Sequence, residues 1–246
     1  MSWKFSPSRE FIEKLQRIPK PKIPLFAVPY PEREGVYKGS RWYSTALDET
    51  IINDFITDYL PFLYQSKELI IMARKDKNVI SLTKKIIEGK TTKTEKAKAI
   101  HSWVYSNITY KRTARIVPPW EIINIKTGDC KSYACLTGAM LGVAGIDCWL
   151  KLAKIDNIDV LHIWDIAYLS WEPVDSVGAF VFREVHPIAG YILFEVDKTL
   201  GYPPKPAPEA GTTIIPEKIK QGIKKYFAYG AIATMAGLGI WALMER

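Results

Sequence analysis

The chain has 246 residues and is 48% hydrophobic, enough for one core with additions. Its net charge of +8 gathers at 67–98 and 218–225, but no aromatic-plus-basic repeat or zinc spacing accompanies it, so nucleic-acid recognition is not expected. Three cysteines, Cys130, Cys135 and Cys148, exclude a disulfide framework, because the count is odd and two of them share one predicted helix.

Residues 1–44 hold one short helical pattern, Phe11, Ile12, Leu15 and Ile18, capped by Ser8. Pro19, Pro21, Pro24, Pro29 and Pro31 follow, so this part reads as an extended Pro-rich arm that wraps the domain or meets a partner. Over 45–77 an added helical segment is expected. One amphipathic helix covers 46–60, capped by Thr45 and stopped by Pro61, and a second covers Ser66 to Lys75. A helix at 78–88 ends at Gly89, and Thr94 caps a helix over 95–106 whose Ile100, Trp103 and Val104 face a core. A strand, Ile108-Thr109-Tyr110, leads into the basic loop Lys111–Arg115, read as solvated or as a rim for acidic substrate groups. From Cys130, the apolar residues recur at helical spacing until Gly145. Alternation at Ile146, Cys148, Leu150 and Leu152 predicts a half-buried strand, 160–169 a second, and further strands are expected at 171–175, 179–182 and 191–196.

The chemistry centres on Gly128 to Asp175. Cys130 opens a helix, where the dipole favours a thiolate. His162 lies on one predicted strand and Asp175 ends the next. A thiol, an imidazole and a carboxylate in that order are the parts of a nucleophilic site. The bland reading of Cys130 is a buried structural thiol.

Gly128-Asp129-Cys130, Gly145-Ile146, His162-Ile163-Trp164 and Trp171-Glu172-Pro173-Val174-Asp175 resemble the transglutaminase-like superfamily of papain-like cysteine enzymes. Upstream, Thr94 to Tyr110 looks like that family's opening helix and first strand, so the resemblance covers roughly 78–182. It implies an α+β fold, with helices packed on an antiparallel sheet over 78–200. It also implies Cys130 as nucleophile, His162 as general base and acid, and Asp175 as the group that orients the imidazole. Trp120 is a weak candidate for an oxyanion donor and Trp164 for a shield against water; packing is the alternative for both. No metal or other cofactor is expected. The expected partner is a peptide or protein amide. Hydrolysis is the first reading; a cross-linking transglutaminase and a non-catalytic binding protein of the same fold are the alternatives.

Residues 201–225 read as a Pro/Lys-rich linker. Residues 226–244 carry no charge, and nineteen residues at 1.5 Å each give about 28 Å, close to a bilayer's hydrocarbon thickness. A transmembrane helix is expected there, with Gly230, Gly237 and Gly239 offering a smooth face for self-association. By the lysines before it, the catalytic domain is expected on the cytoplasmic or an equivalent side, and with no apolar run over Met1 to Pro7 a secretory signal is not expected.

Overall fold

The computed structural model describes residues 4–18, 33–44, 55–155, 160–169, 172–185 and 188–198. Contacts divide the chain at Pro203, and every described residue lies in the first unit. The predicted linker and transmembrane helix lie outside the described residues; among these, no helix is long and apolar enough to cross a membrane.

The domain is α+β, helices on a largely antiparallel sheet. The 130–144 pattern becomes the central helix. We number it α6, Cys130–Val143, after α1 (Arg9–Arg17), α2 (Leu60–Ala73), α3 (Lys77–Ile86), α4 (Lys93–Asn107) and α5 (Pro119–Ile125). Every residue of α6 from Cys130 to Leu141 is buried, including the polar Lys131, Ser132 and Thr137. It ends in a Schellman motif. Gly145 takes φ 74°, its N–H bonds the Gly142 carbonyl at 3.1 Å and the Ile146 N–H bonds the Leu141 carbonyl at 2.9 Å.

The strands are β1 (Lys4–Phe5), β2 (Arg33–Tyr37), β3 (Ser40–Ser44), β4 (Thr109–Tyr110), β5 (Thr127–Gly128), β6 (Cys148–Ile155), β7 (Val160–Ala167), β8 (Glu172–Val174) and β9 (Ile188–Glu195). Seven of them form one sheet in the order β1-β7-β6-β9-β3-β2, with β8 also on β7; β4 and β5 pair separately and in parallel. β1 pairs with β7 in parallel along Val160–Leu161, and β8 pairs with it antiparallel along Asp165–Ala167. Both use the same edge of β7, since β6 holds the other. The stretch His162–Trp164 is left between them, and the functional side chains meet there.

Several expectations are corrected. The part read as an arm supplies strands: β1, and the hairpin β2–β3, turned by Lys38 and Gly39 at φ 47° and 81°. Helix 46–60 lies largely outside the described residues, but Pro61 does not stop a helix. It occupies the first turn of α2, where a missing N–H costs no bond. Thr92, not Thr94, caps α4, because Glu95 then stands at the third position and closes a reciprocal capping box. Residues 179–182 make no strand; Phe182 takes φ 58°, which breaks the extended run. β6 is buried on both faces rather than one. Leu150 and Leu152 join the main core, while Trp149 and Ala153 join a second cluster with Tyr43, Trp164, Ile166, Tyr191 and Leu193.

Candidate active site

The N-terminus of α6 is built by β4 and β5. Their parallel register sets Tyr110 beside Gly128, and the Lys111 N–H donates to the Gly128 carbonyl at 2.8 Å. Gly128 is required by close approach: a Cβ there would sit 2.7 Å from Ile122 Cδ1 on α5. Asp129 follows as the N-cap residue, but its carboxylate caps nothing. It accepts instead from the Thr113 N–H at 3.1 Å, from Ser6 Oγ at 3.3 Å and from Lys131, whose Nζ also donates to the Thr113 carbonyl at 2.7 Å. This buried pair ties the 111–117 loop to the helix start. Ser132 adds to the tie by accepting the Val117 N–H at 2.8 Å. The exposed Arg115 of the same loop is paired with Glu121 at 2.5 Å.

Cys130 is fully buried, and Ser6 Oγ lies 3.3 Å from its Sγ. His162 approaches from β7. Its Nε2 is 2.8 Å from Asp175 Oδ2, and the thiol of Cys130 acts on the ring as a further partner. Nδ1 has no conventional hydrogen bond of its own. Burial alone would push the imidazole down. The charge and hydrogen bond of Asp175, with Cys130, outweigh it and raise the pKa from 6.5 to about 10. The ring is therefore held as an imidazolium. Trp164, two residues on, stacks its ring on the imidazole at 5.1 Å between centroids.

Asp175 is itself held at five points, one of them the Gly178 N–H donating to its backbone carbonyl at 3.2 Å. Its Oδ1 accepts the Val177 N–H at 3.2 Å, and its Oδ2 accepts from Gln16 Nε2 at 3.3 Å as well as from His162. The backbone carbonyl of Asp175 accepts from His101 Nε2 at 3.1 Å. His101 is buried, and that burial lowers its pKa, so the ring is neutral and Nε2 carries the proton the carbonyl needs.

The structure thus brings Cys130, His162, Asp175 and Trp164 together. Trp120 is not among their hydrogen-bond, ring or charge partners; it is half-buried at the start of α5 and packs on the main core. Trp171 and His186 lie outside the described residues. Cys135 and Cys148 are buried away from the site, and burial pushes both thiols up. Four contributors carried no sequence signal: Ser6, Gln16, His101 and Tyr110. The Tyr110 hydroxyl is buried against Ser6 and the Cys130 backbone, and burial followed by the charge of Cys130 raises its pKa. Among the described residues no group of three or more His, Cys, Asp or Glu is placed to hold a metal ion.

Residues 80–176, less than half of the chain, match the transglutaminase-like superfamily, and the match spans Cys130, His162 and Asp175. No curated protein matches. Among solved structures, a candidate cysteine protease from Cytophaga hutchinsonii aligns over 70% of this chain and 78% of its own, at 16% identity and a TM-score of 0.39. A candidate protease from Parabacteroides distasonis aligns over 50% of this chain and 31% of its own, at 14% identity and a TM-score of 0.34. The matched segment, residues 80–176, carries the α+β elements on which Cys130, His162 and Asp175 meet, and is similar to the transglutaminase-like superfamily.

Proposed function

We propose that this protein is a cysteine hydrolase of peptide or protein amide bonds, with Cys130 as nucleophile, His162 as proton carrier and Asp175 as the anchor of the imidazole. The observation that carries the reading is the buried chain of thiol, imidazole and carboxylate, with His162 Nε2 2.8 Å from Asp175 and Cys130 as the ring's other partner. An imidazolium beside the sulfur pairs with a thiolate. The thiolate attacks the carbonyl carbon, and the C–N bond breaks as the imidazolium gives its proton to the leaving nitrogen. A thioester and a free amine result. Water then attacks the thioester and passes a proton to His162, and the C–S bond breaks. The products are a carboxylic acid and the starting ion pair. With an amine in place of water, the same steps give transamidation.

The oxyanion of each tetrahedral intermediate needs donors. The Cys130 N–H supplies one, since the first N–H groups of a helix lack intrahelical acceptors. The second in this reading is the Tyr110 hydroxyl, buried against Ser6 and the Cys130 backbone, and not Trp120. Trp164 covers the imidazole and keeps water from it.

A thiol-directed activity probe tests the proposal, with Cys130→Ala and His162→Ala as controls. Labelling and peptide hydrolysis that both disappear in the two variants support it. Labelling or turnover that persists in Cys130→Ala overturns it, and a wild type with no turnover overturns it in favour of a binding protein of the same fold. Attachment to a bilayer through 226–244, with the catalytic domain on the cytoplasmic side, rests on the sequence. Fractionation of the full chain against one ending at Pro216 tests it, and a full chain that stays in the detergent-free supernatant refutes it.

A further inference from the structure

The site is closed. Cys130 and His162 are 0% exposed and Asp175 is 1% exposed, so no substrate reaches the sulfur in this arrangement. The N-terminal segment closes it. β1 lies along β7 in parallel, Lys4 beside Val160 and Phe5 beside Leu161, and the Ser6 N–H continues the ladder to the Leu161 carbonyl at 3.2 Å. The next position in this register is His162. Ser6 is 1% exposed and sets its hydroxyl on Cys130 Sγ at 3.3 Å. It does so from φ 85°, a left-handed backbone that a residue with a side chain adopts at a cost and glycine adopts freely. Behind it, α1 buries Ile12 and Leu15, and Arg9 donates to the Tyr105 carbonyl at 2.8 Å.

The two parts of the segment are therefore held differently. α1 is fixed by core side chains. β1 has two residues and a few backbone bonds at a sheet edge, which is the low-stability end of a structure. A break between Pro7 and Ser8 frees the one without unseating the other.

We propose that the β7 edge from Val160 to His162 is a docking site for an extended peptide, and that β1 is its intramolecular occupant, held against Cys130 until a substrate chain replaces it. The inference rests on the hydrolase reading and gives that site its substrate class. The ligand is a peptide that adds as a strand parallel to β7, with backbone bonds supplying affinity. The residue facing Cys130 is small, glycine above all, because the place of Ser6 imposes a positive φ and lies against the sulfur.

Rates of iodoacetamide alkylation at Cys130, read by peptide mass mapping, test this in the full chain and in one lacking Met1–Ser6 but keeping α1. The deletion is expected to speed alkylation of Cys130 at least tenfold and leave Cys135 and Cys148 unreactive. A synthetic peptide of residues 1–8 should then restore the slow rate saturably, and its Ser6→Gly form should do so at lower concentration. An unchanged rate in a truncated chain with the native circular dichroism and melting temperature overturns the proposal, as does equal protection by a scrambled peptide. Should the truncated chain not fold, Ser6→Cys in the full chain decides. Mild oxidation is expected to join the new thiol to Cys130 and abolish alkylation reversibly, and failure to form that bond refutes the contact. The readout needs no turnover. Unmasking without hydrolysis sinks the hydrolase reading alone, whereas equal hydrolysis by both chains sinks the docking proposal alone.

Discussion

Replacing Asp175 by Asn removes one charge from the site and leaves its shape almost unchanged. In the native protein, the difference between an imidazole pKa of 6.5 and one of about 10 corresponds to about 5 kcal/mol in favour of the imidazolium. Burial opposes that form, and Asp175 supplies most of what overcomes it. With Asn, the buried ring keeps a hydrogen-bond acceptor but loses the carboxylate's charge, so its titration is expected to fall to about 6.5 or below. The chain has three histidines, so imidazole resonances in heteronuclear NMR, assigned by substitution, follow His162 directly. Turnover near neutral pH should fall by about a thousandfold or more as the proton donor empties. Stability carries the same signature. A folded pKa raised above the unfolded one contributes stability that is full below about 6.5 and is lost as pH rises through about 10. The wild type should therefore lose melting temperature between about pH 7 and 10, and Asp175→Asn should lose less. A His162 that stays protonated at about pH 9 in the Asn variant would refute the assignment of its charge to Asp175.

Asp165 is fully buried with only the Cys148 thiol as a weak partner, and burial raises its pKa well above the usual carboxylate range. The folded state then holds a proton the unfolded state has lost. Asp165→Asn should remove a destabilising slope of about 1.4 kcal/mol per pH unit above about pH 3.9, read from urea denaturation as a function of pH. Cys135 and Cys148, whose thiols burial pushes up, should resist alkylation in the native protein and react only in denaturant, as quantified by mass mapping. Thr92→Ala opens the capping box of α4 and should cost about 1 kcal/mol, or about 2–4 °C in melting temperature by calorimetry; no change would show that the box contributes nothing in this context.

Local signals were legible where structure is local. The helical period after Cys130, the stop at Gly145 and the alternation through β6 and β7 each reflect one element's geometry. The order of Cys130, His162 and Asp175 pointed to three side chains that meet in the fold, without distances. What was not legible comes from contacts between distant segments. Ser6 meets Cys130 across more than a hundred residues, and Gln16 meets Asp175 in the same way. Ser6 has no pattern around it, Gln16 is an unmarked polar residue inside the helical period at 11–18, and the prolines that follow made the whole N-terminal part look like an arm. His101 sat in a helical period as one more residue, and only packing shows that its Nε2 fixes the backbone of Asp175. Trp120 shows the converse, with packing, the alternative reading, being what its contacts display. Nearness in sequence to Cys130 suggested a role, but α5 turns it toward the core.

The closed site also constrains how the chemistry starts. The attraction between a thiolate and an imidazolium grows where water is excluded, against the cost of desolvating both ions. Here the excluding surfaces are Trp164 over the ring and Ser6 over the sulfur. A mechanism that opened the site to solvent before binding would weaken the charge pair on which attack depends. Exchange of one strand for another avoids that, because the incoming peptide restores the wall as it delivers the carbonyl. Small amides cannot replace β1 along β7 and should react poorly even when their acyl groups are otherwise suitable. Extended peptides should be preferred by more than their extra contacts with the edge would give, because they alone keep the ion pair dry at the moment of attack.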